Sequence, residues 1–235
     1  QPVADKWLAI GGFALGDFVL NKPGPRLVIF NTVQSAAVFA HYLREDCKQR
    51  LNVEHISTAL TPRDRSQTVA RVKERLTAKE VGWTLVATSC VEAGVNFSFR
   101  TALRESWGLV NLLQIAGRAS RSGEFDDAEV WDFRHDAENG FSLHPQAKLS
   151  RRILEQVFAE CACRNRQPGP DDCTDAIQRE IYQDHGDKST LIQEIFQAEQ
   201  DANYPEVAKL CRIIDADTQT VVVDPDLISR LIDSN

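Results

Sequence analysis

The 235-residue chain lacks several features that would directly identify its class of protein. It has no uncharged apolar run of the roughly 18 residues that a membrane-spanning helix needs. Its beginning lacks the basic start and the small-residue cleavage site of a secretory signal. It also contains no methionine. Unless modified methionines are missing from the sequence, Gln1 is therefore not a natural start, and we expect a fragment or processed product of a soluble, cytoplasmic protein.

Two common nucleotide-binding signatures are absent as well. The chain has neither a glycine-rich loop that ends in Gly-Lys-Ser/Thr nor a G-x-G-x-x-G segment. No Asp-Glu pair stands at a predicted strand end to hold magnesium. By itself, the chain therefore cannot assemble a P-loop ATPase site.

The distribution of charges and the cysteines further limit the classes of protein to which the chain could belong. Residues 148–235 carry 10 basic and 17 acidic side chains, so they account for the whole net charge of −7. This asymmetry indicates two regions with different partners. An acidic total argues against a large nucleic-acid footprint, although not against a local basic groove. The six cysteines are typical of reduced cytosolic thiols rather than of a disulfide scaffold.

Short apolar runs alternate with helical periodicity in the first part of the chain. Such alternation implies parallel strands joined by right-handed crossovers, hence an α/β sheet with helices on both faces. Thr61 and Pro62 resemble a capped helix start, with a carboxylate three residues after the cap. The predicted strands are 26–31, 53–56, 83–88 and 128–133, and the predicted helices are 36–47, 61–76 and 109–119.

The pattern changes after Gly140. Three helices are predicted, followed by a hairpin and a short final helix. We therefore divide the chain into a lead-in segment 1–21, an α/β lobe 22–146, a helical linker 147–203 and the start of an accessory region 204–235. The three helices span about 148–164, 173–184 and 188–202, the hairpin strands lie at 212–215 and 220–223, and the final helix at 226–232.

The segment from Gln114 to Arg121 reads Gln-Ile-Ala-Gly-Arg-Ala-Ser-Arg. On a continuous helix, Gln114, Arg118 and Arg121 fall within about 60° of arc and project from one face. A pair of guanidiniums suits a phosphate, because each keeps its charge and can bind two oxygens. Gly117 costs roughly 1 kcal/mol relative to alanine in a helix interior, which suggests that something approaches it closely. The plain alternative is an exposed basic helix face.

Two further segments carry polar residues where predicted strands end. Residues 86–96 read Val-Ala-Thr-Ser-Cys-Val-Glu-Ala-Gly-Val-Asn and run from a strand into a turn, and Asn31-Thr32 follows another strand. Open α/β sheets bind ligands at the carboxyl ends of their strands, and helix N-terminal amides can hold a phosphate. Ordinary strand-to-helix capping explains each segment alone, but the three together, in this order, are harder to explain by chance.

Together these segments resemble the second RecA-like lobe of a superfamily-two helicase. Asn31-Thr32 stands at motif IV, residues 86–96 match motif V, and residues 114–121 form a complete Q-x-x-G-R-x-x-R motif VI. More narrowly, several segments resemble the CRISPR-associated helicase-nuclease of type I systems. These segments are 27–36, 60–65, 87–94 and 113–118, with a thinner likeness at 204–224.

The resemblance implies a role for each matching residue. Arg118 and Arg121 would reach across a cleft to the γ-phosphate of ATP, and Gln114 would orient them or bind the phosphate chain. Many relatives have an aspartate where Asn96 stands; the amide of Asn96 lacks that charge but can still accept and donate hydrogen bonds. The resemblance assigns nucleotide contacts to Gly94, Asn96 and Gly117, and contacts with the phosphates of the tracking strand to Asn31, Thr32 and Thr88.

The intact protein implied by the resemblance would couple ATP hydrolysis to three-prime-to-five-prime movement on single-stranded DNA. Its cofactors would be ATP and Mg, held mainly by a first lobe outside this chain, so the chain alone is expected to be inactive. Its partners would be single-stranded DNA, an RNA-guided surveillance complex, the first helicase lobe and a nuclease domain, with no membrane. The alternatives are another superfamily-two helicase, acting on RNA or in DNA repair, and a RecA-like adaptor without catalysis.

Three other patterns are expected to be structural, and no metal site is predicted. His135-Asp136 matches the dipeptide of an HD nuclease but is expected to be a loop after a strand. Cys161 and Cys163 point about 200° apart on a helix, so they do not converge on a metal with Cys173. The basic residues of 63–75 form mainly a solvated helix face, although some of them could contact DNA.

Overall fold

The computed structural model describes residues 8–9, 14–92, 96–121 and 123–211, with only the backbone at 8–9 and 184–189. Its strands form one parallel sheet in the order β1-β6-β5-β2-β4-β3. The strands are β1 (Leu8–Ala9), β2 (Arg26–Phe30), β3 (Val53–Ile56), β4 (Thr84–Thr88), β5 (Thr101–Glu105) and β6 (Glu129–Arg134).

The central strands β2, β4 and β5 are buried along most of their length because the sheet is covered on both faces. All five residues of β4 and of β5 are buried. Parallel strands of this kind occur in α/β folds with helices on both sides. The predicted α/β, RecA-like parallel sheet is therefore confirmed.

Two hydrophobic clusters cover the two faces of the sheet. One contains Phe39 and Leu43 of α2 together with Val28 and Phe30 of β2. The other contains residues of α3, α4 and α5 packed on the opposite face. The helices are α1 (Ala14–Leu20), α2 (Val33–Glu45), α3 (Pro62–Thr77), α4 (Leu109–Ala116), α5 (Ala147–Cys163), α6 (Pro170–Gln200) and α7 (Tyr204–Leu210).

Local capping explains where α3 begins. The hydroxyl of Thr61 accepts a hydrogen bond of 3.1 Å from the backbone N–H of Asp64, and Pro62 occupies the first helical position. This arrangement satisfies one of the N–H groups that a helix start leaves without an intrahelical partner. The predicted start of this helix is confirmed.

Three sequence-based expectations were wrong or incomplete. The strand β5 was not predicted, because only Thr101 to Leu103 precede its charged end, Arg104-Glu105. The helix predicted over 109–119 ends at Ala116. The helices predicted at 173–184 and 188–202 form one helix, α6, since a glycine in a helix interior costs only about 1 kcal/mol and does not by itself end the helix.

The chain divides into two compact units, Gln1–Glu180 and Ile181–Asn235. The four-part division of the chain stays a prediction. The predicted hairpin and final helix lie outside the described residues. Within the described ranges, no helix is both long enough and apolar enough to cross a membrane.

Candidate nucleotide and nucleic-acid site

Motifs IV and V begin at the carboxyl edge of the sheet, whereas motif VI pairs with Phe99, which precedes β5. Phe30 and Thr88, the last residues of β2 and β4, are paired in register. The backbone N–H of Asn31 donates a 2.7 Å hydrogen bond to Oε2 of Glu105, the last residue of β5. The carboxyl ends of three neighbouring strands therefore meet where open α/β sheets bind ligands.

The motif VI side chain of Arg118 lies against the end of motif V. Its guanidinium donates a hydrogen bond of 2.6 Å to the backbone carbonyl of Glu92. The side chain is largely buried, with Arg118 only 7% exposed. Burial lowers the pKa of Arg118, and the positive charge of Arg121 lowers it further. Because arginine titrates far above neutrality, the guanidinium keeps its charge.

Backbone pairing, rather than a helix face, holds motif VI beside motif V. The N–H of Phe99 donates to the carbonyl of Arg118, and the N–H of Ser120 donates to the carbonyl of Phe99, both at 2.9 Å. Ser120 has a left-handed backbone with φ of 53°. The N–H of Arg121 donates to the Ser98 hydroxyl at 3.1 Å. Motif VI is therefore attached to the residues that directly follow motif V.

The helical derivation for Gln114, Arg118 and Arg121 was wrong, because α4 ends before both arginines. Gly117 is the residue that ends α4, so the cost of glycine in a helix interior does not apply to it. A Cβ built on Gly117 would meet its nearest atom, the carbonyl oxygen of Gln114, at 3.5 Å, an ordinary contact. Within the described residues nothing requires glycine there.

The remaining nucleotide-site candidates that the structure describes are all exposed, unlike Arg118. Gln114, Arg121 and Asn96 are exposed to solvent. Gly94 lies outside the described residues, so its predicted contact cannot be located. Since Asn96 follows that segment and Arg121 is bonded to Ser98, both residues lie at the end of motif V.

The predicted nucleic-acid contacts have side chains with internal partners. The Thr32 hydroxyl caps α2 by accepting from the Ser35 N–H at 3.1 Å. The amide of Asn31 donates to the carbonyl of Ser106 at 3.1 Å. Thr88 is buried, and its hydroxyl lies 3.4 Å from the sulfur of Cys90. These side chains position the motif segments, and their roles toward a nucleic acid stay predictions.

A buried ion pair, which the sequence analysis missed, connects motifs IV and V. The Nε of Arg104 lies 2.9 Å from Oε1 of Glu92, and the two side chains are 3% and 9% exposed. The same guanidinium donates to the amide oxygen of Asn31 and, at 3.0 Å, to the carbonyl of Glu105. The sequence signal that could have indicated this buried ion pair is Arg104-Glu105, two charged residues directly after an apolar run.

A second buried polar cluster lies at the ends of β5 and β6. His135 directly follows β6, and its Nε2 lies 3.4 Å from Oε2 of Glu105. Its ring centroid lies 5.1 Å from that of Phe141. Burial is the largest influence and lowers the pKa of His135, but the hydrogen bonds to Glu105 and to the Asp136 carbonyl, together with the charge of Glu105, outweigh it and raise the pKa. Burial also raises the pKa of Asp132 in β6 to about 7.

The patterns expected to be structural have structural explanations. The described part of the chain holds no group of His, Cys, Asp and Glu that could bind a metal ion. Cys161 is buried, whereas Cys163 is exposed at the end of the same helix. On α3, Arg71 and Arg75 pair with buried Glu54 at 3.0 and 3.4 Å, so these two cations stabilise the helix against β3.

The parallel sheet and the order of the motif segments resemble those of the second RecA-like lobe of a superfamily-two helicase. Residues 22–124 match the family model described as CRISPR-associated nuclease/helicase Cas3, C-terminal. The chain therefore resembles the C-terminal helicase lobe of Cas3. No curated protein matches it.

Solved structures show the same fold at low identity. Cas3 of T. fusca with ATP is 14% identical over 93% of this chain and 29% of its own, with a TM-score of 0.54. A structure described as a CRISPR-associated protein is 17% identical over 96% of this chain and 29% of its own, with a TM-score of 0.57. A chain of a pre-nicking CRISPR RNA-guided surveillance complex is 17% identical over 76% of this chain and 24% of its own, with a TM-score of 0.51. This chain thus spans less than a third of these proteins.

Proposed function

We propose that this chain is the arginine-bearing second lobe of an ATP-dependent translocase that moves on single-stranded DNA in CRISPR interference. Binding of ATP and Mg on a first lobe brings that lobe against the carboxyl edge of this sheet. Arg118 and Arg121 then approach the γ-phosphate and stabilise the charge that develops during phosphoryl transfer. Hydrolysis releases them, and the two lobes move apart along the DNA strand.

The observation that carries this proposal is the place of Arg118. Its guanidinium is held 2.6 Å from the Glu92 carbonyl, beside motif V. A fixed guanidinium stabilises developing charge without the cost of reorganising at the moment of reaction. The likeness to Cas3 structures with ATP, AMPPNP and ADP supports the same role.

The other assignments come from the resemblance of the motifs. By that resemblance, Gln114 orients the arginines, and Gly94, Asn96 and Gly117 contact the nucleotide. Since Asn31, Thr32 and Thr88 have internal partners, motif IV holds a DNA phosphate through the backbone N–H groups at the start of α2. Contacts with the phosphate backbone carry no sequence information, so movement is independent of sequence.

Replacing Arg118 in the protein that contains both lobes tests the proposal. Arg118→Ala should lower kcat of DNA-stimulated ATP hydrolysis by about 10³-fold or more, with ATP affinity mostly kept. Arg63→Ala, at an exposed arginine of α3, is the matched control and should hydrolyse ATP normally. Normal turnover by Arg118→Ala would contradict the role of that residue.

The same assay separates the alternatives. Stimulation by single-stranded RNA instead of DNA would indicate a helicase that acts on RNA. No ATP hydrolysis by the two-lobe protein would favour an adaptor. A CRISPR role further requires that the two-lobe protein bind an RNA-guided surveillance complex, which co-purification of the two would measure.

A further inference from the structure

We propose that Arg104 is a positioning residue that couples DNA binding at motif IV to the arginine of motif VI, an inference that rests on the proposed function. Arg104 belongs to β5, lies outside the three motif segments and is buried. In the register of the sheet it stands beside Ile29 of β2, two residues before motif IV. From this position its guanidinium reaches both motif IV and motif V.

The contact with motif IV is made through Asn31. The guanidinium of Arg104 donates a hydrogen bond to the side-chain oxygen of Asn31. The Asn31 amide also donates to the Ser106 carbonyl at 3.1 Å, and the Asn31 backbone N–H donates to Oε2 of Glu105 at 2.7 Å. Thr32, the next residue, caps α2. A DNA phosphate that shifts the start of α2 therefore also shifts the residue that Arg104 holds.

The contact with motifs V and VI is made through a single residue, Glu92. Its carboxylate Oε1 lies 2.9 Å from Nε of Arg104, and its backbone carbonyl accepts a 2.6 Å hydrogen bond from Arg118. Because both acceptors belong to one residue, a shift of Arg104 that carries the carboxylate along also moves the carbonyl. The direction of the Arg118 guanidinium changes with it.

Burial makes these segments shift together rather than separate. Moving Arg104 away from Glu92 would leave two buried charges without each other, which is strongly unfavourable. The guanidinium is also planar and rigid, so the direction of its bond to Asn31 fixes the direction of its contact with Glu92. A buried ion pair adds little stability compared with apolar side chains of similar volume. Stability alone therefore does not explain these charges, whereas coupling between the motifs gives them a role.

The DNA-stimulation ratio of the two-lobe protein tests this inference. We define it as kcat of ATP hydrolysis with saturating oligothymidylate divided by kcat without DNA. A variant that is partly unfolded loses turnover in both states alike, so a merely structural defect leaves the ratio unchanged. Arg104→Lys keeps the charge but replaces the planar fork by one ammonium group, and it should lower the ratio about tenfold.

A double variant separates coupling from stability. Arg104→Met with Glu92→Met leaves neither charge buried alone, so part of the stability should return. The contacts with Asn31 and with the carboxylate are still lost, so the ratio should stay about tenfold below that of the wild type. Lys22→Met is the matched control, since it breaks the 2.7 Å ion pair with Glu129 at the opposite end of β6. It should keep the wild-type ratio.

A wild-type ratio in the double variant would overturn the inference, and so would a ratio lowered equally by Lys22→Met. A wild-type ratio in the double variant, together with lost turnover in Arg118→Ala, would leave the proposed function standing without this coupling. If DNA does not stimulate hydrolysis by the wild-type protein, the proposed function and this inference are both overturned.

Discussion

The guanidinium of Arg118 donates a 2.6 Å hydrogen bond to the backbone carbonyl of Glu92. Glu92 in turn uses its carboxylate to pair with Arg104 at 2.9 Å. Two successive contacts therefore link motif VI to motif V, and motif V to a residue of β5 that belongs to neither motif. The orientation of the proposed arginine finger therefore depends on a buried ion pair behind it.

Breaking that ion pair should destabilise the lobe strongly. Arg104→Met leaves the Glu92 carboxylate, which is 9% exposed, without its cation. We expect the free energy of unfolding in urea to fall by about 3–5 kcal/mol, the usual cost of a buried charge that has lost its partner.

A double variant tests whether the lost stability comes from the interaction between Arg104 and Glu92. Arg104→Met with Glu92→Met removes both charges and should recover part of the lost stability, because no charge stays buried alone. Arg63→Met, at an exposed position, should change stability by less than about 0.5 kcal/mol. Costs that simply add in the double variant would contradict the coupling.

Gly117→Ala separates a structural need for glycine from a functional one. The added Cβ meets only the carbonyl oxygens of Gln114 and Leu113, at 3.5 and 3.7 Å, so thermal unfolding of the chain should be unchanged within about 0.5 kcal/mol. If the nucleotide or the first lobe approaches Gly117 closely, the same change should lower ATP turnover of the two-lobe protein. Wild-type turnover by Gly117→Ala would remove this residue from the nucleotide site.

The stability of the lobe should fall as pH rises from 3.8 towards about 7. Burial raises the pKa of Asp132 from 3.8 to about 7. Between these values the folded carboxyl keeps a proton that the unfolded chain has lost, so unfolding becomes easier as pH rises, by up to about 4 kcal/mol. The raised pKa of His135 acts in the same direction, since its stabilisation is complete below 6.5 and is lost above it.

Urea midpoints at about pH 5 and pH 8 would measure this dependence. Asp132→Asn should flatten it, because the amide does not titrate, and should raise stability at the higher pH. Asp127→Asn, at an exposed residue paired with Arg100, serves as the control and should keep the wild-type slope. A wild-type midpoint that increases with pH would show that Asp132 is ionised in the folded chain.

The sequence alone determined the class of this fold. Apolar runs at β2 and β4 and the short strand β3, alternating with amphipathic segments, favoured parallel strands with helices between them, because sheets covered on both faces are typically built in this way. The cap at Thr61 and Pro62 is equally local, so α3 was predicted from its first residue. The resemblance across motifs IV to VI also needed only the order and spacing of residues.

The way the site is built depends on tertiary contacts between distant segments, which the sequence does not show. Arg118 reaches Glu92 through pairing between Phe99 and residues 118–120, a contact between distant segments that helical periodicity cannot show. The partners of Arg104 likewise come together where strand ends from different parts of the chain meet. Periodicity reports which side of an element is buried, whereas hydrogen bonds and ion pairs depend on which other element lies there.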